Sequence, residues 1–142
     1  MTDFGIIGTG HLGSMLAEAS IRRGAIEKER LWVSNRSQKK ALRLAEELGV
    51  RAANNHEVAK RSDIIFLCVR PMDLEEVISE IHEHLTPDKL VVSMAMDFPL
   101  SRIQGLCQAR TARAIPSITS SKGLGVTLLV LSDDASEDDR SQ

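Results

Sequence analysis

Gly8-Thr9-Gly10-His11-Leu12-Gly13 is the stretch whose residue types and spacing most directly prescribe a chemistry. It fits G-x-G-x-x-G, follows a short apolar run from Phe4 to Ile7, and opens an amphipathic segment from His11 to Arg23. A strand, a glycine turn and a helix in that order grip a diphosphate. Gly8 permits the tight turn, Gly10 lets backbone approach the pyrophosphate, and Gly13 lets the helix pack close to the strand. The helix start adds unsatisfied N–H groups and a positive dipole end, about 0.3–1 kcal/mol toward an exposed anion. Gly8, Thr9, Gly10, His11, Leu12 and Gly13 are therefore expected cofactor contacts.

The end of the second strand decides which dinucleotide such a turn would hold. A domain that takes NAD usually ends its second strand with Asp or Glu, about 20 residues past the glycines, to bond the ribose 2′-hydroxyl. Here that position reads Ser34-Asn35-Arg36-Ser37, followed by Lys39 and Lys40. A carboxylate would repel a 2′-phosphate, whereas the planar fork of Arg36 matches phosphate oxygens. A charge-assisted hydrogen bond is worth about 1.5–3 kcal/mol, enough to set a preference. The expected cofactor is NADP(H), with NAD as the alternative.

The elements that must position these residues alternate between apolar runs and helical patterns, as in a parallel α/β sheet. Leu31 to Ser34 reads as a second strand, and Ser37 can cap a helix carrying Ala41, Leu44, Ala45 and Leu48 before Gly49 stops it. Val50 to Ala53 is a weak strand and Asn55 to Lys60 a short helix. Asp63 to Val69 is a continuous apolar strand, buried on both faces. Pro71 opens a helix with the stripe Leu74, Val77, Ile78, Ile81 and Leu85. Leu90 to Ser93, a helix from Pro99 to Cys107, Thr111 to Ile115 and a last apolar strand from Gly125 to Leu131 follow. The expected fold is a single Rossmann-like α/β domain over residues 1–131, doubly wound on a mainly parallel sheet. Residues 132–142 are acidic, with Asp133, Asp134, Glu137, Asp138 and Asp139, and read as a linker or the start of a further element.

Bulk properties narrow the function classes. The chain has 142 residues with a formal net charge of -2, which gives no electrostatic case for nucleic acid or an anionic membrane. Aromatics are 3% and Tyr is absent, which removes the stacking platforms of a single-strand binder. Cys68 and Cys107 make no disulfide framework, the start has no signal-peptide pattern, and the apolar run Ile64 to Val69 is too short to span a bilayer. These readings imply a cytoplasmic protein acting on a small molecule.

Further stretches complete the pattern: Val33-Ser34-Asn35-Arg36, Asn55-His56-Glu57, Phe66-Leu67-Cys68-Val69-Arg70-Pro71, Val92-Ser93-Met94-Ala95 and Ala112-Arg113-Ala114-Ile115-Pro116-Ser117. In their order and spacing, with the glycine turn, they resemble pyrroline-5-carboxylate reductase, above all its relatives in late-competence operons. The resemblance covers about Phe4 to Leu131. It implies reduction of a cyclic imine with NADPH or NADH. It also implies that Ser34, Asn35 and Arg36 hold the adenosine end of the cofactor. Asn55 would hold the adenine ribose or its phosphate. Val69, Arg70 and Pro71 would line the cofactor near its diphosphate and nicotinamide, with Ala95 beside the ring. A second, helical domain that builds a homodimer and completes the substrate pocket is implied beyond this chain, which reads as a piece of a longer protein.

Two departures bear on the substrate: Met96-Asp97 where the family usually has Ala-Gly, and Ser117-Ile118-Thr119 where it usually has Asn-Thr-Pro. They motivate a non-catalytic NADP(H)-responsive module in competence or regulation as an alternative; a further one is another reductase sharing the domain, such as a deazaflavin-dependent NADP reductase or a β-hydroxyacid dehydrogenase. No catalytic acid or base is assigned, because the cofactor supplies the hydride and the protein the alignment. No metal is expected: His82 and His84, two residues apart on a helix, point to different faces and read as solvated. Ser93, Ser117, Ser120 and Ser121 have no evident His–Asp partner for a hydrolase.

Overall fold

A computed structural model of the chain describes residues 2–95, 98–115 and 128–131. The elements run β1 (Phe4–Ile7), α1 (His11–Arg22), β2 (Leu31–Ser34), α2 (Gln38–Leu48), β3 (Arg51–Ala52) and α3 (Asn55–Arg61). They continue as β4 (Ile64–Leu67), α4 (Pro71–Ile81), β5 (Leu90–Ser93), α5 (Leu100–Gln104), β6 (Arg110–Ile115) and β7 (Leu128–Leu131). Short 3₁₀ turns sit at Lys28–Arg30 and His82–His84.

The seven strands lie in the order β3-β2-β1-β4-β5-β6-β7. Every neighbouring pair is parallel except β6 with β7. The chain winds outward from β1 to β3, then restarts at β4 on the other side of β1. Ligands of open α/β sheets bind beyond the carboxyl ends of the strands at such a reversal. Ile7 is registered with Ser34 on one side and with Leu67 on the other, so the two ends of the crevice are level. The doubly wound, mainly parallel sheet expected from the sequence is the one observed.

Helices cover both faces. Ala17 of α1 and Leu44 and Ala45 of α2 pack with Ile6, Leu31, Val33 and Val50. On the opposite face Val58, Leu74, Val77, Ile78, Ile81, Leu85 and Ile103 pack with Ile7, Ile65, Leu67 and Val91. The α4 stripe is thus the core stripe, although the helix stops at Ile81 and reaches Leu85 through the 3₁₀ turn. Ser37 caps α2 as expected, its hydroxyl accepting from the N–H of Lys40 at 3.4 Å, and Gly49 ends the helix at φ 74°. The helix expected from Pro99 to Cys107 is shorter, Leu100–Gln104, with Pro99 as its cap and Gly105 closing it.

On α1 the buried positions are Gly13 and Ala17, while Leu12 and Leu16 lie half-buried. The line of closest contact runs through the small residues because the helix must come within one Cα of the glycine turn. A Cβ on Gly13 would stand 1.8 Å from the carbonyl oxygen of Gly8. Burial also shapes two titratable groups. Desolvation pushes the Cys68 thiol up to about 12, which keeps it a protonated packing group. It lowers the Lys89 ammonium, whose Nζ donates to the carbonyl of Lys60 at 2.9 Å and to that of Ala59, closing the end of α3.

No helix among the described residues is long and apolar enough to cross a membrane. The departures at Met96-Asp97 and Ser117-Ile118-Thr119, and the acidic stretch 132–142, lie outside the described residues, as do 125–127 of the last expected strand.

Gly13 and Gly10 differ in a way that thermal unfolding can read. Gly13→Ala forces backbone apart, and overpacking of that kind costs about 1–3 kcal/mol. A Cβ on Gly10 meets nothing within 4 Å, so Gly10→Ala should stay within about 1 kcal/mol of the parent, the scale of an N-cap change. Equal losses for the two variants would contradict this division.

Candidate functional site

The turn between β1 and α1 is braced from three sides. The Gly8 N–H donates to the Ser34 carbonyl at 2.9 Å, and the Cys68 N–H donates to the Ile7 carbonyl at 2.8 Å. The Thr9 N–H donates to Asn35 Oδ1 at 3.2 Å, and Ser14 Oγ donates to the Thr9 carbonyl at 2.8 Å. Gly8 holds φ +100°, and a Cβ there would stand 2.8 Å from the Cys68 carbonyl oxygen, so backbone angle and space both require glycine.

Gly10 is different. It caps α1 with no side-chain hydrogen bond, and no acidic residue stands in the first turn. The first amides of α1 are therefore left for a ligand, and the open space where a Gly10 Cβ would project is the space a diphosphate would fill. The cradle fits a dinucleotide on these grounds.

A groove of about 630 Å³ extends from this turn across the crevice between β1 and β4. Arg36, Gln38 and Lys40 line one side, and Asp73, Glu76 and Glu80 line the other, from one face of α4. Asp73 bridges the two arginines: its Oδ1 is 3.4 Å from Arg36 Nη2, and its Oδ2 accepts from Arg70 Nε at 3.1 Å. The guanidinium-bearing side chains stay 71% and 67% exposed, so both remain reachable by an anion. Behind the groove Ser34 Oγ donates to Asn55 Oδ1 at 2.6 Å, and Asn55 Nδ2 donates to Glu80 Oε2 at 3.2 Å. These bonds fix which way the Asn55 amide faces.

Of the residues expected from the sequence, Gly8, Gly10, Asn35, Arg36, Asn55, Val69 and Arg70 come together along this groove. Thr9 is buried under the turn, its Oγ1 without a hydrogen-bond partner among the described residues, and Ser34 is buried behind Asn55. Gly13 is buried at the helix–strand contact. His11 is exposed at the start of α1, and Leu12 packs toward Ile64, Leu90 and Val92. Pro71 is the exposed first residue of α4, and Ala95 is buried just past β5; neither lines the groove.

Sequence reasoning did not single out Gln38, Asn54, Asp73, Glu76 or Glu80. The signal for the acidic wall was present: Asp73, Glu76 and Glu80 recur at helical spacing on the side of α4 away from its apolar stripe. That spacing reads equally as a solvated face. Lys40, noted as a charge behind Arg36, does line the groove.

The chain is 33% identical over 119 residues to the pyrroline-5-carboxylate reductase of Methanosarcina acetivorans, covering 82% of this chain and 44% of that protein. It is 28% identical over 127 residues to ComE operon protein 4 of Bacillus subtilis, covering 88% and 46%. Its fold superposes on a pyrroline-5-carboxylate reductase from Coxiella burnetii with a TM-score of 0.91 at 27% identity, over 99% of this chain and 53% of that one. The chain therefore spans about half the length of the relatives it matches, and the resemblance read from its motifs holds. Residues 3–97 match the family described as NADP oxidoreductase, coenzyme F420-dependent, and the chain belongs to that family.

Proposed function

We propose that the groove binds NADPH and that the full-length protein delivers its hydride to the carbon of a C=N bond, of the pyrroline carboxylate type. The observation that carries this reading is the bare face of Gly10 at an uncapped helix start, opening into a groove whose β2 end bears Arg36 instead of a carboxylate. The amides from Gly10 to Gly13 would hold the diphosphate. Arg36 and Lys40 would meet the 2′-phosphate, with Asn35 and Asn55 near the ribose. Val69 and Arg70 would lie toward the nicotinamide, and Pro71 and Ala95, which do not line the groove, would flank that end of it.

The cofactor, when bound, supplies the hydride. The chain's own residues align and desolvate it, and alignment alone accounts for a large share of such a rate. No side chain here is assigned as acid or base. A small-molecule imine as substrate, and a homodimer completing its pocket, are proposals for the full-length protein, supported by the activity its relatives are named for and by their greater length. A second reading, a non-catalytic NADP(H)-responsive module, is favoured by the likeness to ComE operon protein 4. Assay of the full-length protein for NADPH oxidation with pyrroline-5-carboxylate separates the two; clear turnover removes the second.

Calorimetric titration tests the binding step directly. The chain should bind NADPH, and Gly10→Ala should bind it at least about tenfold more weakly with its fold intact, because one lost diphosphate hydrogen bond is worth that much. Undiminished binding by Gly10→Ala would overturn the placement of the diphosphate.

Arg36→Ala should weaken NADPH by about tenfold or more, one charge-assisted bond, while sparing NADH. Equal loss for both cofactors would show that Arg36 does not read the phosphate.

Asp73→Asn should move affinity the other way. Asp73 occupies both guanidinium groups and places a like charge beside the phosphate. Exposed pairs of this kind are worth up to about 1 kcal/mol, so NADPH should bind up to about fivefold tighter, with NADH unchanged. Weaker NADPH binding in this variant would instead make Asp73 the residue that holds the arginines in place.

A further inference from the structure

Beyond the groove, three side chains from two separate elements converge at the far end of α4. His56 comes from α3, and Glu83 and His84 come from the 3₁₀ turn that follows α4. One ligand atom from each lies within 4.8 Å of the other two. His56 Nδ1 is 3.8 Å from Glu83 Oε1, and His84 Nε2 is 3.6 Å from the same oxygen. The two imidazoles stand edge to face, with ring centroids 5.6 Å apart. Because α4 gives way to a 3₁₀ turn at His82, the sequence-based picture of two solvated histidines on one helix does not hold: His84 is half-buried against His56, while His82 is exposed and binds the Ser79 carbonyl.

We propose that His56, Glu83 and His84 form a site for a divalent transition-metal ion of the zinc class. Two imidazoles and a carboxylate are a donor set such ions take, with bonds of about 2.0–2.2 Å. Tetrahedral bonds of that length put ligand atoms about 3.3 Å apart. The two distances to Glu83 Oε1 exceed this by about 0.3–0.5 Å, and the imidazole nitrogens, within 4.8 Å of each other, close by rotation of the exposed His56 and Glu83 side chains toward the half-buried His84. The fourth position is open to water.

The surroundings support the same assignment. The second nitrogen of His56, Nε2, faces Glu80 Oε1 at 3.9 Å. A ligating histidine commonly turns its other N–H toward a carboxylate, which fixes its tautomer and raises its basicity. Glu80 is held in turn by Asn55. The neighbouring charges are Glu57, Lys60 and Arg61 from α3, Glu80 from α4 and Glu83 from the 3₁₀ turn, with Arg61 paired to Glu57 at 2.8 Å. Glu80 and Glu83, the two carboxylates that face His56, favour a dication. An ion here would tie α3 to the end of α4 and leave the glycine turn untouched.

The test needs no nucleotide, so it is independent of the NADPH reading. The untagged chain, in buffer without added thiol, is titrated with zinc chloride by calorimetry and with cobalt chloride by visible absorption. Wild type should bind one zinc per chain at a roughly micromolar Kd and give the ligand-field absorption of four-coordinate cobalt. His56→Ala and His84→Ala should each bind at least about tenfold more weakly, and His82→Ala should match wild type. Thermal unfolding without metal monitors the fold, and Glu83→Gln, which keeps size and shape, serves if an alanine variant unfolds. Zinc should raise the unfolding temperature of wild type and not of the weakened variants. Absence of binding at about 100 µM zinc, or equal binding by wild type and the His56 and His84 variants, overturns the site. Loss in only one of those two variants overturns it as well.

Discussion

The structure depends on one steric fact: α1 starts so close to β1 that nothing larger than a hydrogen fits between Gly13 and the carbonyl of Gly8. That contact sets the angle at which α1 leaves the sheet, and so aims the first amides of the helix into the crevice beside β4. Gly8 contributes the second half of the constraint. Its left-handed backbone reverses the chain within van der Waals range of the β4 end at Cys68. The ladder hydrogen bonds then continue one residue past β1, from Gly8 to Ser34, and one residue past β4, from Cys68 to Ile7. A turn braced this way costs little to preorganise, and a preorganised set of amides is what makes anion binding there favourable.

The groove around this turn is electrostatically divided. Basic groups gather where β2 and β4 end, and carboxylates face them from α4. Asp73 sits on the boundary and satisfies two arginines at once. Such exposed pairs contribute little to folding because solvent screens them. On the proposed reading their consequence lies in binding, since a phosphate arriving at Arg36 would compete with a carboxylate already in place. Selectivity for a phosphorylated ribose would then be a difference between two anions at the same donors, not a sum of attractions.

Much of this could be read in the residues, for identifiable reasons. The glycine turn and the α4 stripe are local patterns with a fixed period, and both came through with their partners intact. The failures are where the deciding contact is distant or where two environments share one spacing. The acidic face of α4 has the periodicity of a solvated face, and only the position of Arg36, brought in from β2, makes Asp73 part of a site. Asn35 was expected at the adenosine end by resemblance; the structure also turns its carbonyl back to the Thr9 amide, a contact that depends on β1 and β2 pairing in register. The direction of β7 could not follow from an apolar run, since parallel and antiparallel strands differ in connection rather than composition. The meeting of His56 with His84 required α3 to pack beside the end of α4, which no local pattern encodes.

A chain of contacts joins the two regions in which charge is concentrated. Ser34 at the β2 end bonds Asn55, Asn55 bonds Glu80, and Glu80 faces His56. The first two links are hydrogen bonds of 2.6 and 3.2 Å that set the Asn55 amide, and the third is a looser contact at 3.9 Å. Asn55 therefore has two tasks that pull in opposite directions. Its amide must be presented to the groove, yet its oxygen accepts from Ser34 and its nitrogen donates to Glu80. An amide has two acceptor lone pairs and two N–H donors, so it retains one of each for a ligand while keeping both internal bonds. That arithmetic makes Asn suitable there and excludes its acid: an Asp at the same position could accept from Ser34 but would meet Glu80 as a like charge.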